Sequence, residues 1–343
     1  MRVPAPGGPG FCQWLPRLKM ARQPLPVRGK FTICAVSGIA LSGVIFLHIV
    51  LFSGGDSPER EVSLCSGDCV EAALLSRRHT VLRFDPAEGF PPLEELTRAD
   101  AVFLALHGGD GEDGTIQRRL EALGIFHYTG SDPSGAAMAM RKDLAKAAVR
   151  AAGIPVAAGG VLLPGERLKF RFPMVIKPVC GGSSVGLRLI RTAGELPEEK
   201  FDEPMLYEKL LPGREYSVGL LGGGALPPVE ICPHGETFDY YCKYTAGATD
   251  EICPANIPRE KTVRLQEDAL CAARVLGLRD FCRIDFKEDA RGEPHFLEAN
   301  ALPGMTNGSL LPKEAQAAGV TFPELCETIA RQASSRRHRL RRS

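Results

Sequence analysis

Arg283-Ile284-Asp285-Phe286 and, a short way on, Phe296-Leu297-Glu298-Ala299-Asn300-Ala301-Leu302-Pro303-Gly304-Met305-Thr306 read as two neighbouring strands running into a glycine turn. They bring three hard-oxygen side chains together: Asp285, Glu298 and Asn300. Glu298 and Asn300 are two residues apart, so the strand period points both to one face. Carboxylate and amide oxygens without His or Cys suit Mg²⁺ or Mn²⁺ that also holds the phosphates of a nucleotide. A hairpin with solvated polar faces is the plainer alternative. The following Asn-x-x-Pro-Gly-Met-Thr weighs against it, because a glycine there can bring its N–H close to a ligand.

Working outward, strand and helix alternate from His48. Ser57 is placed to cap a helix with Pro58 at its first position, and Val62, Cys65, Cys69 and Leu74-Leu75 form an apolar stripe. Val81-Leu82-Arg83-Phe84 and Ala101–Leu106 read as strands, the second a short apolar run suited to a parallel sheet buried on both faces. Residues 48–130 are thus expected to form a small doubly wound α/β domain. A helix over Lys142–Ala152 ends at Gly153-Ile154-Pro155. Strands are expected at Val161–Leu163, Pro173–Lys177 and Met205–Glu208, and helices at 260–276 and 322–334. No internal repeat or coiled-coil heptad is visible.

The 343 residues suffice for two or three small domains, and the formal net charge of +1 gives no electrostatic case for nucleic acid. The basic run Arg336-Arg337-His338-Arg339-Leu340-Arg341-Arg342 reads as a solvated tail, within residues 331–343. Eleven cysteines are odd in number and scattered, without metal-ligand spacing. They are expected to be reduced, small buried hydrophobes, with Cys180 and Cys242 open to alkylating agents.

The first 55 residues hold no acidic residue, and residues 1–30 combine six basic side chains with six prolines, a disordered composition. Phe31–Phe52 is apolar enough in length for a membrane span. Two features oppose that reading. His48–Phe52 runs into Ser53-Gly54-Gly55 as a first α/β strand would, and the preceding basic residues would send everything downstream out of the cytoplasm, away from ATP. Residues 1–47 are expected to be a dispensable extension to a cytoplasmic protein.

Two further motifs are weak alone. Pro178-Val179-Cys180-Gly181-Gly182-Ser183-Ser184-Val185-Gly186 follows a strand ending in Lys177, and its backbone N–H groups could cradle phosphates. It lacks the spacing of a Walker A loop or a dinucleotide fingerprint. His107-Gly108-Gly109-Asp110-Gly111-Glu112-Asp113-Gly114 lies at the carboxyl end of a strand, where ligands of open α/β sheets collect.

Taken together and in order, these motifs, with Ser57-Pro58-Glu59-Arg60-Glu61-Val62-Ser63 and Lys243-Tyr244, resemble the D-alanine–D-alanine ligases, ATP-grasp enzymes of cell-wall synthesis, over residues 48–330. The resemblance implies an α/β domain followed by a two-lobed α+β ATP-grasp domain, with a central lobe over 131–211 and a C-terminal lobe over 212–330. It also implies a two-step reaction: a D-alanine carboxylate takes the γ-phosphoryl group of ATP, and the amine of a second D-alanine displaces phosphate. Asp285, Glu298 and Asn300 would bind two Mg²⁺, with Glu298 bridging. Lys142, Lys177, Ser184 and Lys243 would meet the nucleotide's phosphates, and Glu208, Leu211 and Glu215 its adenosine. Arg283 and the Gly304 N–H would stabilise the oxyanion. Glu59 would receive the first substrate's ammonium near His107, and Ser309 and Leu310 the second substrate's carboxylate. Ser183 would join Glu59 to Tyr244 over the site.

Arg141, Arg118, Gly181 and Ala301-Leu302 depart from the family's usual residues, but none is a proposed catalytic group. Arg141 stands where the family commonly has Asp, so the local pairing around Lys142 is expected to differ. Relatives that make depsipeptides or D-alanyl-D-serine are the nearest alternatives, and Lys243-Tyr244 favours the dipeptide ligases. A non-catalytic ATP-grasp module is the alternative of another class. The family includes homodimers, and no feature of the sequence decides that state.

Overall fold

The computed structural model describes residues 46–166, 171–195, 201–234 and 249–340, with side chains in the last helix to Arg337. Three sheets organise them. In the first, β1 (His48–Phe52), β2 (Thr80–Phe84) and β3 (Ala101–Leu104) lie parallel in the order β2-β1-β3. Ile49 to Phe52 are fully buried, as an apolar run covered on both faces should be. The crossovers contain α1 (Arg60–Ser76) and α2 (Leu93–Arg98). After β3 come α3 (Gly109–Glu112), α4 (Thr115–Ala122), α5 (Pro133–Met140) and α6 (Lys142–Ala151).

The second sheet is antiparallel, with β4 (Gly159–Leu162), β5 (Met174–Pro178), β6 (Arg188–Ile190) and β7 (Met205–Lys209) in the order β4-β7-β5-β6. The third is also antiparallel: β8 (Glu215–Leu221), β9 (Gly224–Ala225), β10 (Val229–Pro233), β11 (Thr249–Ile252), β12 (Phe281–Glu288) and β13 (Pro294–Asn300). Its order is β11-β10-β8-β12-β13, with β9 beside β8. Three helices complete the chain, α7 (Arg259–Leu276), α8 (Leu310–Ala317) and α9 (Phe322–Leu340).

Period-two alternation divides β12 between core and site. Cys282, Ile284 and Phe286 enter a core shared with α5, α6 and α7, leaving Arg283, Asp285 and Lys287 on the opposite face. Register places Arg283 across from Asn300 and Asp285 across from Glu298, with a bulge just after Asp285. A bulge re-aims side chains locally, and here it falls at the proposed metal face.

Four expectations are corrected. First, α1 begins at Arg60, and Ser57 does not cap it: its Oγ accepts the Glu59 N–H at 3.1 Å and donates to the His107 carbonyl at 2.7 Å. Second, the buried face of α1 is only partly the apolar stripe, of which Leu74 is buried and Val62 and Cys69 are half-buried. Ser63, Ser66, Gly67, Val70, Ala73 and Leu74 turn inward, while Cys65 and Leu75 are exposed. The helix passes so near β1 that a Cβ on Gly67 would lie 2.5 Å from that of Ser53. Third, the basic run is no free tail, because α9 continues through it to Leu340. Arg336 donates to both Asp280 carboxylate oxygens at 2.8 Å and to the Tyr128 carbonyl, and Arg337 pairs with Asp100 at 2.7 Å. Fourth, among the described cysteines only Cys282 and Cys326 are buried, although Cys180 is exposed as expected. No helix among the described residues is long and apolar enough to cross a membrane.

Candidate active site

A cavity of about 660 Å³ opens between the second and third sheets. Lys142, Lys177, Ser184, Glu208, Leu211 and Glu215 line it, and Asp285 and Glu298 close its far wall. At that wall the Arg283 guanidinium grips Asp285 with two bonds of 2.9 Å, and Asn300 Nδ2 donates to the same carboxylate at 3.0 Å. Burial opposes the Arg283 charge, but Asp285 beside it holds the guanidinium's pKa above its ordinary value. With its amide nitrogen committed to Asp285, Asn300 keeps its carbonyl oxygen for another partner. Two carboxylates and that oxygen make a hard donor set that fits Mg²⁺ or Mn²⁺.

Lys177 lies between two acids, 3.7 Å from Glu298 and 4.0 Å from Glu208. Lys142 begins α6, and its Nζ donates to the Gly181 carbonyl in the glycine-rich turn. That turn uses left-handed backbone at Gly181, Ser183, Ser184 and Gly186. Only glycine adopts such values without strain, so the two serines mark a conformation held by its surroundings. Its tip meets the first sheet's loops at Glu59: one carboxylate oxygen lies 3.4 Å from a Cβ built on Gly182, the other 3.3 Å from one built on Gly108. Glu59 therefore sits where the phosphate turn and the His107 loop converge.

His107 Nε2 lies 2.7 Å from Ser66 Oγ, its Nδ1 lies 3.9 Å from Glu112, and burial pushes the imidazole down to about 4. Burial, then the Glu59 charge, push Glu112 up to about 8. The Gly304 loop is tied to α1 by the Met305 N–H, 3.3 Å from Ser66 Oγ. A Cβ on Gly304 would lie 2.8 Å from Ser309 Oγ, so a larger residue there would make Ser309 shift. Ser309 Oγ also accepts the Thr306 N–H at 3.1 Å, and Leu310 is buried against Val229 and Ile231.

A family model described as D-ala D-ala ligase C-terminus matches residues 163–331. A D-alanine--D-alanine ligase of Geobacter sulfurreducens is 40% identical over 292 residues, covering 82% of this chain and 92% of its own. That of Aquifex aeolicus is 40% identical over 295 residues, covering 82% and 99%. The crystal structure of the Bacillus anthracis D-alanine--D-alanine ligase aligns with a TM-score of 0.72 at 31% identity, over 86% of this chain and 99% of that one. A structure of the same enzyme complexed with ATP aligns with a TM-score of 0.72 at 31% identity. The chain belongs to the D-alanine–D-alanine ligase family.

As a D-alanine–D-alanine ligase it is an ATP-binding ligase of the ATP-grasp type. The sequence-derived positions fall into two groups in this ligase. Lys142, Lys177, Ser184, Glu208, Leu211, Glu215, Asp285 and Glu298 share the large cavity. Glu59, His107, Gly304 and Ser309 lie beside the loops that follow the first and third sheets. Lys243 and Tyr244 lie outside the described residues. Three engaged side chains escaped the sequence reading. Lys146 Nζ is 2.8 Å from Glu208 Oε1, Lys287 Nζ is 2.8 Å from Glu215, and Glu112 faces His107. For Lys146 a signal existed, since it follows Lys142 by one helical turn and shares its face.

Proposed function

We propose that this chain joins the carboxyl group of one D-alanine to the amine of a second, using ATP and passing through an acyl phosphate, for peptidoglycan precursors. The meeting of Lys177 with Glu208 and Glu298 carries the reading, because it puts a phosphate cation, a base acceptor and a metal ligand around one nucleotide-sized cavity. Residues 131–211 and 212–330 would act as the two lobes around that nucleotide, with 48–130 presenting the first substrate. ATP dependence assigns the activity to the cytoplasm.

Glu59 accepts the first substrate's ammonium and so points its carboxylate at the γ-phosphorus. Lys142 and Lys177 neutralise the phosphoryl oxygens as the new C–O–P linkage forms and the bond to ADP breaks. Asp285, Glu298 and Asn300 would hold Mg²⁺ or Mn²⁺, which supplies further neutralisation at that position. Ser309, with the backbone at Leu310, receives the second substrate's carboxylate and sets its free amine against the acyl carbon. Arg283 and the Gly304 N–H stabilise the oxyanion while the C–N bond forms, until the C–O bond to phosphate breaks and the departing phosphate carries away the amine's proton. Ser183, in the phosphate turn next to the Gly182 that approaches Glu59, would help exclude water from the acyl phosphate, the role that the family resemblance also implies for Tyr244.

The test is phosphate release with ATP and Mg²⁺ against D-alanine, D-serine, D-lactate and L-alanine, with products identified by mass spectrometry. Release that depends on D-alanine and yields the dipeptide is expected. Release indifferent to the D-amino acid, or a depsipeptide as main product, would overturn the substrate assignment.

A further inference from the structure

Lys146 is 4% exposed and does not line the cavity, yet it reaches one of the cavity's acids. Its Nζ lies 2.8 Å from Glu208 Oε1, 3.3 Å from the Phe296 carbonyl and 5.8 Å from the centre of the Phe296 ring. The other Glu208 oxygen is 4.0 Å from Lys177. One turn earlier on the same buried face of α6, Lys142 donates to the Gly181 carbonyl of the phosphate turn. A single helix thus supports the nucleotide cavity at two places, through two lysines one turn apart.

An ionised carboxylate only accepts hydrogen bonds, whereas a protonated one also donates. The Lys146 ammonium, 2.8 Å from Oε1, engages one oxygen of Glu208 and fixes the side chain in one rotamer. The oxygen left facing the cavity then accepts from a purine bearing an amino group at its six position, and repels one bearing an oxo group. Buried polar groups left unpaired by the wrong ligand give the largest discriminations available to a binding site.

We propose that Lys146 is a positioning residue that sets the purine selectivity of this ligase by holding Glu208 as a fixed acceptor. The inference rests on the reading that Glu208 meets the base. Steady-state kinetics of the full chain with ATP and with inosine triphosphate, at saturating D-alanine, test it. Lys146→Met and Lys146→Gln should raise KM for ATP by about tenfold or more, leave kcat within about threefold, and erase most of the preference for ATP. Lys146→Arg should keep the preference. Glu208→Gln should lose it, and adding Lys146→Gln to Glu208→Gln should change the ratio no further, because the lysine acts through the acid. The glutamine variant keeps the test open if the methionine variant fails to fold. A wild-type preference in folded Lys146→Gln, with the preference lost in Glu208→Gln, would overturn the role of Lys146 alone. A preference that survives Glu208→Gln would overturn the base contact itself, and the inference with it.

Discussion

Asp285 takes both hydrogen bonds of the Arg283 fork and one from Asn300, so three of the proposed site's side chains hold one another in place. Glu298 stands across the strand pair from it and 3.7 Å from Lys177. Glu298→Gln removes a charge from the place where phosphoryl charge must be neutralised, and turnover is expected to fall by roughly 10²-fold or more. Phosphate release under saturating Mg²⁺ checks this, and a wild-type kcat would reject the metal assignment. His107 and Glu112 make opposite contributions to the stability of the ligand-free protein. The imidazole is depressed to about 4, so the stability it contributes is full above its unfolded value near 6.5 and is lost as pH falls towards 4. Glu112 is raised to about 8, so its ionisation costs stability as pH rises from the ordinary carboxylate range through 8. Glu112→Gln should therefore raise Tm more at pH 8 than at pH 5, measured by thermal melts without substrate. An equal shift at both values would show that Glu112 is not held neutral. The acids of β12 and β13 were legible in the sequence because their spacing is local. Glu112 belongs to the His107–Gly114 stretch, but burial and then the Glu59 carboxylate raise it, and that carboxylate comes from the loop after β1, which only the folded chain brings near.

At the scale of elements, strands were read more faithfully than helix faces. Apolar runs such as Ile49–Phe52 declare a buried parallel strand by composition alone. The inward face of α1 misled because it serves the site: Ser63 Oγ donates to the Ala105 carbonyl and Ser66 Oγ contacts His107, so polarity marks its buried side. The end of α9 misled for another reason. A run of arginines resembles a solvated tail until its partners are known, and Asp280 and Asp100 are remote in sequence. Arg336 satisfies both oxygens of Asp280, whose carboxylate also accepts the Gly130 N–H at 3.0 Å. Arg336→Ala would leave that nearly buried acid without its cation. The expected loss is about 3 kcal/mol, seen as a fall in Tm of several degrees, with KM for ATP unchanged. A melt identical to wild type would mean that the pair contributes nothing to holding α9.

For the whole molecule, Leu47 ties the start of the first sheet to its neighbours. The Leu47 N–H lies 3.0 Å from His79 Nδ1, its carbonyl accepts the Thr80 N–H at 2.9 Å, and β1 follows at the centre of the first sheet. The motifs carrying the proposed chemistry run from Ser57 to Leu310, leaving residues 1–45 with no proposed part in it. Deleting residues 1–45 is therefore expected to leave phosphate release and Tm within error of the full chain. The apolar stretch Phe31–Phe52 poses the competing expectation that the full chain is held at a membrane and that the deletion frees it. That expectation meets a physical obstacle, because basic residues before a span keep the N-terminus inside and would carry the catalytic portion away from ATP. Fractionation of both forms with high-salt washing, followed by protease protection, separates the two. Full-length protein that stays with membranes after the wash, with its catalytic portion protected inside, would overturn the unanchored reading while keeping the ligase. A shortened chain that melts at lower temperature would show instead that the segment before Phe46 packs against the fold.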